Sequence, residues 1–82
     1  MNARASTIAQ AVKARRQRLG LRQEQAAALA GVSTRFVHAV EAGKESLRLD
    51  KLLDLFEALG LALVLRSGAT GVSYEAPSGD ST

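Results

Sequence analysis

Apolar residues recur every three or four positions along most of this chain, and Gly20, Gly31, Gly43 and Gly60 interrupt the rhythm. That period belongs to amphipathic helices, and a glycine just past the last apolar position is a common left-handed stop. Together they predict four helices. The first is expected from Ile8 to Leu19, with Ile8, Ala11, Val12 and Leu19 on one face. Thr7 followed by Gln10 has capping-box spacing at its start. The second is expected over Gln23 to Ala30, turning Ala26, Ala27, Leu29 and Ala30 inward, with Val32 plugging the following turn. The third runs from Thr34 to Ala42 behind an N-capping Ser33 and buries Val37 and Val40, with Phe36 at the edge of that stripe. The fourth spans Leu49 to Leu59. Its apolar set of Leu49, Leu52, Leu53, Leu55, Phe56 and Leu59 is wider than one stripe needs, so part of it is expected to face another subunit.

After Gly60 the run Leu61-Ala62-Leu63-Val64-Leu65-Arg66 is too short for a new helix. It reads as a β-strand over 61–66, the alternative being a continuation of the fourth helix through Gly60. Leu61, Leu63 and Leu65 share one face of such a strand, and Ala62 and Val64 the other. A lone strand leaves its backbone groups unpaired unless a second copy pairs with it. Leu61, Leu63, Val64 and Leu65 are therefore the expected dimerisation residues. The expected organisation is one all-α domain over residues 1–66, with its strand pairing across a homodimer, and a flexible tail over 67–82. The tail is rich in Gly, Ser and Thr, and Tyr74 is its one large side chain.

Composition adds the sense of a partner. Net charge is +3, but it is unevenly spread. Residues 1–48 carry nine Lys/Arg against Glu24, Glu41 and Glu45, whereas residues 49–82 carry Lys51 and Arg66 against five acidic groups. A basic front and an acidic back suit a phosphate-binding face and a separate second surface. With one histidine, no cysteine and no clustered carboxylates, no enzyme active site, metal site or cofactor is expected. No apolar run approaches membrane-spanning length and the start lacks a signal-peptide pattern, so a cytoplasmic protein is expected.

Two short helices hinged at Gly31, with polar groups crowded at the front of the second, present a reading helix as a helix-turn-helix does to the major groove. Thr34 and Arg35 occupy the first turn of that helix, within reach of base edges. The Arg35 fork suits guanine O6 and N7, or else a phosphate. One turn on, Ala39 offers a methyl to thymine or no readout, and His38 a phosphate or water contact. Lys44 is placed to meet a phosphate as a point charge. Lys13, Arg15, Arg18 and Arg22 form a basic reserve whose individual contacts the sequence does not assign, although Arg22 stands next to the second helix, where a phosphate is within its reach.

The run from Arg16 to Leu59 resembles the phage-repressor type of helix-turn-helix, the large XRE-like family. The resemblance lies in RQRLGL (16–21), QEQAA (23–27) and AGVS (30–33), completed by Val37, Val40, Glu41, Gly43 and Lys44. Across 31–65, GVSTRFVHAVEAGKESLRLDKLLDLFEALGLALVL resembles the HipB-like antitoxins, in which the fourth helix is followed by a strand paired across a homodimer. The resemblance implies a bacterial, nucleoid-associated repressor of its own operon that binds a HipA-like serine/threonine kinase toxin. It implies that Gln23 braces the DNA backbone, and that Arg16 and Glu41 form a structural ion pair between the first and third helices. Ser33 would lie in the same DNA-facing region. One departure is Arg22, where the family usually has Ser or Thr ahead of the second helix. A two-fold dimer would set its reading helices about 34 Å apart on an inverted-repeat operator. The competing readings are a phage-type or metabolic repressor with no toxin partner, and an interaction module that only neutralises a partner.

Overall fold

The computed structural model describes residues 3–68 and 71–75. Four helices follow in order: α1 (Ala3–Arg18), α2 (Gln23–Ala30), α3 (Thr34–Glu41) and α4 (Leu49–Ala58). Helix α2 packs on both α3 and α4, and α1 packs on α3. The buried core takes Val12 from α1, Ala26 and Ala27 from α2, Val37 and Val40 from α3, and Leu52, Leu55, Phe56 and Leu59 from α4 and its end. Small alanines on α2 let the neighbouring helices approach. Val32 and Phe36 pack against this core from its edge, as do Ile8 and Leu61.

All four helices end in the same way. Beyond α2, the Gly31 N–H bonds to Ala28 O at 3.4 Å and the Val32 N–H to Ala27 O at 3.0 Å. The corresponding pairs recur at Gly20/Leu21, Gly43/Lys44 and Gly60/Leu61. This is the Schellman arrangement, in which the residue after the helix takes a left-handed conformation and satisfies the last carbonyls. Gly31 sits at φ 72°, ψ 30°, a region that a side chain with a Cβ enters only at a cost. Nothing lies within 4 Å of where that Cβ would be, so the constraint at Gly31 is conformational.

Three local expectations are corrected. Helix α1 already runs at Ala3, so Thr7 lies inside it, where its hydroxyl donates to Ala3 O at 2.9 Å. Gln10 bonds the Ser6 hydroxyl, and the expected Thr7/Gln10 box does not form. Alanines at 3 and 5 favour helix strongly enough to carry it past the threonine. Leu19 and Leu29, expected inside, are exposed, Leu29 by 63 %. On α2 the stripe of residues 26, 27 and 30 is already complete, and position 29 falls on its flank.

Residues 61–66 carry no regular secondary structure where a strand was expected. A strand is defined by its ladder, and this segment forms none among the described residues. Leu61 is half-buried against the core, but Leu63 (48 %), Val64 (75 %) and Leu65 (91 %) stand exposed. Of the expected tail, 67–68 and 71–75 are exposed and irregular, and residues 69–70 and 76–82 lie outside the described residues.

Candidate nucleic-acid interface

Helix α3 is a short rod with one face fastened. Ser33, in extended conformation, starts it by accepting the Phe36 N–H on its Oγ at 3.0 Å. Val37 and Val40 fasten its back to the core, which leaves Thr34, Arg35 and His38 exposed and Ala39 half-buried. Lys44 follows Gly43 and is exposed. Thr34 and Arg35 fill the first turn, and His38 lies one turn on, as the helical period requires.

The far end of α3 is held by Glu41. Its Oε2 accepts from Arg16 Nε at 2.6 Å, and its Oε1 from Arg16 Nη2 at 2.8 Å. The third guanidinium nitrogen, Nη1, donates to Leu21 O at 2.8 Å, so one side chain ties α1, α3 and the turn after α1 together. The side chains are 12 % and 5 % exposed. Gln23, the first residue of α2, adds a bond from Nε2 to Glu41 Oε1 at 3.2 Å. Burial pushes the Glu41 carboxyl up, but the hydrogen bonds from Arg16 and Gln23 and the charges of Arg16 and Lys13 outweigh it. The carboxyl ends below its usual range, and the same hydrogen bond raises the Arg16 guanidinium further.

Gln23 is half-buried and bonded to Glu41, whereas a solvated glutamine would be free. Arg22 is exposed and caps α2 only through its backbone: its N–H donates to Gln25 Oε1 at 2.8 Å, half of a capping box that stands in for the missing Ser or Thr. Its guanidinium lies 3.4 Å from Glu24 in an exposed pair worth little.

Two basic residues that the sequence left unassigned gain places. Arg15 Nε donates to Leu59 O at 2.8 Å, setting a cation at the C-terminal end of α4. Lys13 lines, with Arg16, Gln23, His38, Glu41 and Ala42, a shallow groove of ≈ 250 Å³. The signal for Lys13 was its spacing, one turn before Arg16 on the same helix.

A rigid rod with a polar front, carried on a second helix through a glycine turn, defines a helix-turn-helix domain. Residues 12–65 match the helix-turn-helix family HTH_3, and the chain belongs to that family. It is similar to an uncharacterised HTH-type transcriptional regulator, y4mF, of Sinorhizobium fredii (strain NBRC 101917 / NGR234), with 38 % identity over 48 residues. That match covers 58 % of this chain and 63 % of the relative. Among solved structures, an HTH_3 family transcriptional regulator from Vibrio cholerae matches 72 % of this chain with TM-score 0.65 and 29 % identity. The chain spans 33 % of that protein. Among the described residues, no helix is long and apolar enough to cross a membrane, and no group of His, Cys, Asp or Glu is arranged to hold a metal.

Proposed function

We propose that this chain is a DNA-binding transcriptional regulator that lays α3 in the major groove. One observation carries the reading: Thr34, Arg35 and His38 stand exposed on a helix whose back is buried and whose end is tied down by Arg16. A reading helix must hold its side chains in register with base edges, and rigid mounting does that. Arg35 is the base-reading candidate, with Thr34 beside it and Ala39 towards a thymine methyl. Gln23, Ser33, Arg22, His38 and Lys44 border the backbone phosphates. The similar proteins from Sinorhizobium and Vibrio, both named as transcriptional regulators, support the reading.

The finer reading is a homodimeric autorepressor, the antitoxin of a HipA-like kinase. The exposed apolar run Leu63-Val64-Leu65, together with exposed Leu49 and Leu53 on α4, supports a second copy. The toxin partner rests on the resemblance of residues 31–65 to HipB-like antitoxins. A DNase footprint on the DNA upstream of the gene, at two salt concentrations, tests the proposal. The expected result is a protected inverted repeat that weakens as salt rises. A blank footprint at low salt, with a kinase partner still captured, leaves the interaction-module reading instead. Protection without any such partner leaves an ordinary repressor.

A further inference from the structure

We propose that Lys13 on α1 is a DNA-phosphate contact, sharing with Gln23 and His38 a groove beside the reading helix that seats one backbone phosphate. The inference rests on the DNA-binding reading above and extends the contact surface to a third helix.

The groove brings together donors from three helices that the fold itself does not use up. Lys13 is exposed and lines the groove, and among the described residues it makes no hydrogen bond and no ion pair within 4 Å. Its charge is nonetheless felt at Glu41, which places the ammonium on the α1–α3 side of the molecule. Gln23 spends one amide hydrogen on Glu41, and a primary amide has a second. As the first residue of α2, Gln23 also has a backbone N–H without an intrahelical acceptor. His38 brings an exposed imidazole from the outer face of α3. Ala42 contributes only a methyl, so that part of the groove stays open.

Glu41 is the one acidic group lining the groove, and it does not spoil it. Both its oxygens are held by the Arg16 guanidinium, and its side chain is only 5 % exposed. The paired carboxylate repels an incoming anion weakly, whereas the ammonium of Lys13 meets it directly. The alternative for Lys13 is a solvated surface charge that adds to the general positive field. A phosphate contact differs from that in a measurable way, because each neutralised phosphate releases its own counterions.

The test is the salt dependence of DNA binding for the full chain, as log K against log salt concentration. Lys13→Gln is expected to lower the slope by about 0.9 per protomer and to weaken operator and non-operator DNA alike. Lys13→Arg restores the slope. Lys51→Gln, which removes the same charge from α4, leaves it unchanged. A wild-type slope in Lys13→Gln overturns the inference while leaving the DNA-binding reading intact. An equal loss in Lys51→Gln also overturns it, since a general field then explains both. If the wild type shows no salt-sensitive binding, both the inference and the function beneath it fall. Melting temperatures equal to wild type for all three variants establish that the slope reports contacts rather than folding.

Discussion

Two parts of this molecule expose what a small domain normally hides or solvates, and they do so on opposite terms. The front of α3 shows Thr34, Arg35 and His38, all polar, on a rod fastened behind by Val37 and Val40 and at its end by Glu41. The segment after Gly60 shows Leu63, Val64 and Leu65, all apolar, with Leu61 alone packed against the core. The first is a finished surface, anchored by contacts within the domain itself. The second is unfinished, because exposed leucines gain stability only when something covers them. On the proposed function, recognition and assembly fall to regions of opposite polarity. Consecutive arginines of α1 serve both: Arg16 holds Glu41 at the end of α3, and Arg15 holds Leu59 O at the root of the apolar segment.

The largest expected effect comes from unfastening the rod. Among the described residues, Glu41→Ala leaves the Arg16 guanidinium bonded to Leu21 O alone, and the cost stays below the roughly 3–5 kcal/mol of a fully buried pair because this pair is part-buried. A domain this small has little stability in reserve, so chemical denaturation should show much of it gone. Acid titration gives the same answer with a sign. The Glu41 carboxyl is held below its ordinary value in the fold, so its contribution is fully present above the unfolded value. It is lost as pH falls through the folded value. Glu41→Gln, which cannot ionise, should flatten that acid limb.

Removing the reading side chain instead should spare the fold. Arg35 is exposed and, among the described residues, makes no hydrogen bond or ion pair, so Arg35→Ala should change unfolding free energy by no more than about 0.5 kcal/mol. Discrimination between operator and mutated operator should drop by about 1–3 kcal/mol if its fork reads a guanine. A uniform loss on all DNA would make it a phosphate clamp. Ser33→Ala sits between these cases, since it removes the Oγ acceptor of the Phe36 N–H and leaves it only Ser33 O at 3.1 Å, at a cost of about 1 kcal/mol of α3 stability.

What was readable in advance follows the range of the forces involved. Gly31 and Ser33 act within a few residues, and both the left-handed turn and the N-cap stand where the spacing put them. Periodicity located all four helices but misjudged their margins. Thr7 has the right hydroxyl for a cap, and only the helix-favouring alanines ahead of it decide otherwise. Leu29 has the right apolarity for the core, but its place depends on how α2 is rotated against α3 and α4, and no single helix records that. The Arg16–Glu41 contact spans 25 residues, came into view only through family resemblance, and could not be read from local spacing. The bond from Arg15 to Leu59 O spans 44 and had no such guide. Residues 61–66 are the other limit: a short apolar run alone predicted a strand there, and a strand also needs a ladder partner, which a local run does not supply.

The smallest effect on the isolated domain should come from that segment, and it separates the two regions most sharply. Val64 is 75 % exposed, so Val64→Lys removes almost no buried apolar area from the single chain. Monomer stability at high dilution should stay within about 0.5 kcal/mol of wild type. If the apolar run pairs with a second copy, the same substitution puts a charge where each protomer meets the other, and sedimentation should show association weakened. Operator affinity should then fall, although no DNA-facing residue has changed, because two reading helices are no longer held one turn apart. Arg35→Ala gives the converse, with association intact and readout lost. If Val64→Lys leaves both association and operator binding untouched, the segment serves some other partner, and the division of labour between the two regions has to be redrawn.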